Sequence, residues 1–359
     1  MRYSGIVTTV TLATLATLLA SLLSAAPTAS AASSAAPARE VGAVRVEPFS
    51  MIGVTWRGGG TPDVEVRTRG ADRWSGWTHL HPLTDGPSAA AAEATGVRGT
   101  ELLWVGSSDA AQLRTTGPVP ADLDLVLIDP GTRPADRAKA PAAAAASRVA
   151  ARKRAKPDRA PRPRIYSRSD WGADEGLRNG SVRYTNRLRQ VHVHHTATGN
   201  GYSRKDVPAL IRGMYRYHTQ TLGWFDLGYN FLVDRFGRAW EGRSGGPSKL
   251  VQGAHTLGFN RRSVGIAVIG SHDDNRASDR SLLMVARLAA WKLDRYGRRA
   301  TGTVVVGSDG SDRFRPRQRV RLPVIDGHRD TNDTACPGDR IYRRLGEIRR
   351  LAKRRIDRF

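Results

Sequence analysis

Cys336 is the only cysteine in 359 residues. No disulfide can close within one chain, so the fold must be held by apolar cores, hydrogen bonds or a bound metal. The thiol sits in Asp333-Thr334-Ala335-Cys336-Pro337-Gly338, eight residues after His328. Four readings of a lone cysteine are open: a buried inert thiol, a nucleophile, an intermolecular bridge and a metal ligand. The run His192-Val193-His194-His195, together with His328, favours the last. Two imidazoles and one thiolate make a three-ligand zinc site with an open fourth position, which is the catalytic form of such sites.

The first residues bear on the compartment. Met1-Arg2-Tyr3 is a short basic start, an apolar run extends from Ile6 to Leu23, and Ala29-Ser30-Ala31 is a small-x-small cleavage signal. Residues 1–31 therefore read as a signal peptide cut after Ala31, with an uncleaved anchor as the competing reading. No other segment of the sequence could span a bilayer, so a secreted protein without stable membrane insertion after cleavage is expected. The net charge of +24 draws such a chain to polyanions, although solubility alone explains it equally well. Nucleic acid is not an expected partner, because charge is the only feature pointing to it and no binding motif accompanies it.

The length is too great for one ordinary domain, and composition divides the chain. Residues 41–130 have the texture of strands: Val44-Arg45-Val46, the alternating Val64 to Arg69 and the apolar Leu123 to Ile128, separated by breaks such as Gly58-Gly59-Gly60. This predicts a small β-sandwich-like accessory domain, with Trp74, Trp77 and Trp104 as core residues and nothing resembling a catalytic site. For Trp74 and Trp77 core packing is favoured over stacking on sugar rings. Residues 131–163 are rich in alanine, proline and arginine, with Ala142 to Ala146 and Arg152-Lys153-Arg154-Ala155-Lys156, and read as a mobile or extended linker.

Residues 164–359 carry the chemistry. Gln190 to His194 alternates as a strand, placing His192 and His194 on one face and Val191, Val193 and His195 on the other. Asp206 is a cap for a helix whose spacing runs Val207, Leu210, Ile211, Met214, His218. Gly228 to Val233 and Ser263 to Gly270 read as strands, Arg280 to Tyr296 as a helix stopped at Gly297, and Ile341 to Ile356 as a basic terminal helix. Strands mixed with helices around one buried apolar strand predict an α/β, three-layer domain with a mixed central sheet and flanking helices.

Four segments, in this order, carry a family resemblance: Val193-His194-His195-Thr196-Ala197-Thr198, Gly223 to Phe231, Gly253-Ala254-His255-Thr256, and Gly327-His328-Arg329-Asp330 leading to Ala335-Cys336-Pro337-Gly338. They resemble the peptidoglycan recognition proteins, a family overlapping the zinc-dependent N-acetylmuramoyl-L-alanine amidases of the phage T7 lysozyme type. The resemblance covers roughly 167–359, and the N-terminal region is loosely similar to the accessory segment of actinobacterial members.

The resemblance implies one zinc ion held by His194, His328 and Cys336, and cleavage of the amide between N-acetylmuramic acid and L-alanine of peptidoglycan. Members that only bind typically lack the cysteine, so its presence points to turnover; a binding module with little or no turnover is the alternative. Tyr229 is implied to assist the reaction and Thr334 to position water, while His218 and His255 are assigned to the substrate groove. Arg329 and Asp330 are expected to brace the ligand loop. Distant relatives carry a glutamate where Ala267 stands, which excludes a carboxylate base from that strand. The expected setting is extracellular and associated with the cell wall, as a monomer, with anionic wall polymers as further partners of the basic surface.

Overall fold

The computed structural model of the chain describes residues 6–11, 39–116, 118–120, 122–137 and 159–359. Most of the expected signal peptide and the expected linker's Ala142–Ala146 and Arg152–Lys156 stretches lie outside the described residues. Of the leading apolar run, Val7–Thr11 forms a strand, β1.

The N-terminal region is one antiparallel sheet of eight strands: β1, β2 (Arg39–Trp56), β3 (Asp63–Gly70), β4 (Arg73–Trp74), β5 (Thr78–Leu80), β6 (Arg98–Gly99), β7 (Leu103–Thr116) and β8 (Asp124–Ile128). The main path runs β1-β8-β2-β7-β3-β4. The long pairing of β2 with β7 shifts register near Val44, Phe49 and Met51, and such bulges bend a strand that would otherwise be too long to stay flat. Inward residues Ile52, Val54, Val64, Val66, Leu113 and Leu127 form this sheet's own core. Trp74 and Trp77 are not in it. Trp74 is exposed and Trp77 half-buried, with the Arg67 guanidinium over both rings and that of Arg114 over Trp77. The expectation that they pack the core is therefore corrected.

The second sheet is mixed, in the order β16-β10-β13-β11-β12-β9. Its strands are β9 (Ile165–Tyr166), β10 (Gln190–His195), β11 (Phe231–Val233), β12 (Ala239–Glu241), β13 (Ser263–Val268) and β16 (Ile325–Gly327), while β14 (Thr303–Gly307) and β15 (Arg319–Pro323) make a separate hairpin. The helices are α1 (Pro134–Arg137), α2 (Val207–Arg216), α3 (Asp279–Arg295), α4 (Asp339–Tyr342) and α5 (Leu345–Asp357). The terminal helix expected to run unbroken from Ile341 is thus two. Among the described residues no helix is long and apolar enough to cross a membrane.

Strand alternation sorts the residues into two layers. Val191, Val193, Phe231, Val233, Val264, Ile266 and Val268 face α3 and α5. Leu232, Ala267 and Ile269 face α2 on the opposite side. Each fully buried Val, Leu or Ile contributes about 1.5–3 kcal/mol, so both faces must be covered. The Ser278 side chain caps α3 by accepting from Ser281 N at 3.1 Å, and Gly297, with φ of 64°, follows its end. Asp206 does not cap α2; its carboxylate accepts from Ser203 N instead.

The two sheets share a core on the α2 side. Met51, Leu102, Val126 and Ile128 pack with Leu210, Ile211 and Met214. A Cβ on Gly213 would collide with the Met51 sulfur, so glycine there lets α2 sit against β2 without displacing the Met51 side chain. Residues 131–137, read from composition as linker, are docked: Arg212, buried in α2, donates to Asp136 and to the carbonyls of Pro130 and Gly131.

Candidate metal centre

His194 lies near the end of β10, in register with Ala267 of β13, which pairs in turn with Leu232 of β11. Paired residues point to the same face, so His194 projects into the layer shared with α2 and the N-terminal sheet. His195 points the other way and accepts from the backbone N–H of His272 at 3.1 Å. His192 shares the face of His194 but is held by the Asp326 carboxylate at 2.6 Å, deep in the sheet. The sequence reading of this strand therefore stands.

His328 follows β16 directly and opens a short 3-10 turn. The loop from there to Cys336 is closed by Arg329 N donating to Cys336 O at 3.0 Å and by Thr331 and Asn332 donating to the His328 carbonyl. Asp330 accepts from Gly327 N and from the Tyr342 hydroxyl, and Arg329 pairs with Asp339. These two residues brace the loop, as expected. It carries the thiol to the first strand: Cys336 Sγ lies 3.7 Å from His194 Nδ1. The ligand atoms of His194, His328 and Cys336 all lie within 4.8 Å of one another, and all three residues are buried.

A fourth group arrives from the N-terminal region. Asp85 Oδ1 lies 3.2 Å from His194 Nδ1 and 3.1 Å from His328 Nδ1. It nevertheless makes no hydrogen bond, and neither does His328 Nδ1. The other Asp85 oxygen accepts the Tyr229 hydroxyl. Thr84 donates to Thr334 Oγ1 at 2.9 Å, and Thr334 Oγ1 also accepts from Cys336 N. The β-rich region, in which the sequence showed nothing resembling a catalytic site, thus brings Thr84 and Asp85 to these residues. Sequence reasoning missed Asp85 because the acid stands in a turn-like Thr-Asp-Gly-Pro stretch with no periodicity and no neighbouring histidine, and only tertiary docking brings it here.

The geometry suits zinc. Tetrahedral ligands at bond lengths of about 2.0–2.1 Å for nitrogen or oxygen and 2.3 Å for sulfur stand about 3.3 Å apart, or about 3.6 Å where sulfur is involved. An imidazole nitrogen of His328 and a carboxylate oxygen of Asp85 at hydrogen-bond distance without a hydrogen bond, beside a thiol, fit convergence on a cation better than a bonded network.

Burial sets the electrostatics. It lowers the pKa of His194, and that of His328 to about 3, so both imidazoles are neutral and free to donate lone pairs. Burial also raises Asp85 to about 6 against the opposing pull of His328, and it pushes the Cys336 thiol up. Only as anions would this acid and this thiol require a positive partner. Tyr229 is raised well above the ordinary phenol range by burial and then by Asp85, so its hydroxyl keeps its proton.

The sequence reading assigned His218 and His255 to a substrate groove, and neither reaches the surface here. His255 is wholly buried with Nδ1 3.1 Å from His194 Nε2. His218 sits on a π-helical turn after α2, stacks on Trp224 at 4.5 Å and accepts from Gly228 N. Thr334 and Cys336 instead line a cavity of about 1080 Å³, walled on the other side by His81 to Gly86 and Glu101.

The chain matches the N-acetylmuramoyl-L-alanine amidase family over residues 184–339, and over 16–155 a family described as Rv3811 N-terminal galactose-binding domain-like. Peptidoglycan-recognition protein 1 of Holotrichia diomphalia is 30% identical over 184 residues, spanning 51% of this chain and 79% of that protein. Peptidoglycan-recognition protein SC2 of Drosophila melanogaster is 28% identical over 181 residues, spanning 50% and 84%. Among solved structures, Drosophila PGRP-LB is similar at 29% identity and a TM-score of 0.40, with 51% of this chain and 92% of that one covered.

Proposed function

This chain belongs to the peptidoglycan recognition protein and N-acetylmuramoyl-L-alanine amidase family, and we propose that it is a secreted, wall-associated zinc hydrolase cleaving the amide between N-acetylmuramic acid and L-alanine. The observation that carries this reading is the buried convergence of His194, His328 and Cys336. Those three residues would hold the ion. When bound, zinc supplies a Lewis acid that activates water and polarises a carbonyl.

The chain's own residues account for the rest. Tyr229, held protonated and with its ring 5.5 Å from that of His194, donates its hydroxyl hydrogen to the oxygen on which charge develops. Thr334, hydrogen-bonded to the backbone beside Cys336, orients water at the cavity wall. His255 fixes the ring of His194 rather than touching substrate, and His218 shapes the wall by holding Trp224. Ala267 presents only a methyl beside His194, so no carboxylate base comes from β13.

Mass spectrometry of purified peptidoglycan digested with and without chelator tests the reading. Release of free stem peptides that stops on chelation and returns with zinc is the expected result. Undiminished release by protein shown to be metal-free would remove it.

A further inference from the structure

We propose that Asp85 is a fourth ligand of this metal centre, and that the N-terminal domain thereby keeps the hydrolase latent. The inference rests on the zinc reading above and adds a regulatory element to the same site.

Asp85 lies on the strap between β5 and β6, residues 81–97. Its carboxylate is 6% exposed, and Oδ1 has no hydrogen-bond donor although two ring nitrogens stand within 3.2 Å. A buried carboxylate oxygen in that state is costly unless a cation occupies the point on which the donors converge. The second oxygen takes the Tyr229 hydroxyl. One carboxylate thus fills both positions that hydrolysis needs: the coordination position left open by two histidines and a cysteine, and the hydrogen-bond donor for the developing oxyanion. A peptide amide cannot enter while it stays.

The strap is built to stay. Asn260 donates to the Gly86 carbonyl at 2.8 Å, Thr84 holds Thr334, and Thr95 Oγ1 donates to Leu222 O at 2.7 Å. Further along, Glu93 forms a buried ion pair with Arg243 and accepts from Phe225 N. Two strap carboxylates therefore engage the hydrolase domain, one at the metal ligands and one at a buried arginine. Both lie between β5 and β6, so displacement of one segment exposes the centre and frees Arg243 for an anionic group of the substrate.

The test uses the full chain with cobalt in place of zinc. In the wild type the visible spectrum should be that of a site closed by four protein ligands and should not respond to added azide. Asp85→Ala and Asp85→Asn should give spectra that shift as azide binds. Both should digest peptidoglycan at least about tenfold faster, because a site competent only in its open fraction is slowed by that fraction. A wild-type spectrum that responds to azide as the variants do overturns the proposal and needs no variant to be decisive. If that protein also releases stem peptides, the hydrolase reading survives its loss. A wild type that takes up neither cobalt nor zinc removes both.

Discussion

His255 stands behind His194, with its Nδ1 3.1 Å from the Nε2 of a ring whose Nδ1 faces Cys336 and Asp85. A ring that ligates through Nδ1 carries its hydrogen on Nε2, and His255 is the acceptor that keeps it there. The Thr256 hydroxyl lies 2.9 Å from the same His255 nitrogen. Space for this ring is reserved in β13, since a Cβ on Gly265 would fall 2.5 Å from it. Loss of such an outer partner typically lowers metal affinity about 10–100-fold. His255→Ala should show that loss in chelator competition while the circular dichroism spectrum is kept. Unchanged affinity would mean that His255 only fills space.

Cys336→Ser tests the thiolate directly. Burial first, and then the Asp85 carboxylate, raise this thiol, so its anion exists only if a cation compensates. A serine hydroxyl is a far poorer zinc ligand than a thiolate. Zinc affinity should fall by more than the about 10–100-fold of an outer partner, and stem-peptide release should collapse. Stoichiometric zinc at normal affinity in the variant would show that the thiol is not a ligand.

The local pattern, with the motif resemblance, pointed to the three residues that the fold brings together, His194, His328 and Cys336. Alternation in Gln190 to His195 fixes the face of His194, and the spacing of the Gly-His-Arg-Asp and Ala-Cys-Pro-Gly segments marks the loop that delivers His328 and Cys336. What alternation cannot report is which surface docks against which. Asp85, Glu93 and Met51 look like ordinary residues of an accessory sheet, and their roles arise from contacts with residues over a hundred positions away. Burial misled in the opposite direction for Trp74 and Trp77, whose aromatic mass suggested a core but which lie against arginines at the surface.

Acid should loosen the C-terminal domain through His218. Burial first, and then the Arg243 charge, lower its pKa from 6.5 to about 3. Between those values the unfolded chain binds a proton that the folded chain refuses. This stability is fully present above about 6.5 and is lost as pH falls toward about 3, by about 1.4 kcal/mol per pH unit inside the window. His195, His255 and His272 are lowered too and steepen the wild-type slope, while the raised carboxyls of Asp85, Glu101 and Asp326 oppose it, so the comparison with a variant carries the test. His218→Gln keeps an acceptor for Gly228 N and cannot titrate. Urea unfolding from pH 4 to 7 should give it a slope shallower by about one proton. Equal slopes would show that His218 charges within the fold.

Tyr229→Phe separates chemistry from metal binding. The hydroxyl touches Asp85 but none of His194, His328 and Cys336, and its removal changes little volume, so zinc content and folding should hold. In the wild-type background the variant also frees one oxygen of the strap's carboxylate, and two opposing effects would mix. The comparison therefore belongs in Asp85→Ala, where the site is open. There the loss of one oxyanion donor should lower the rate by about 10²–10³-fold, roughly 3–4 kcal/mol. The loss should fall on kcat rather than KM, because the hydrogen bond strengthens only as charge develops on the carbonyl oxygen. A fall in zinc occupancy would make Tyr229 a support for His194, whose ring it faces at 5.5 Å. An unchanged kcat would leave the oxyanion to the ion alone, and the phenol would then serve only to hold Asp85 in the latent chain.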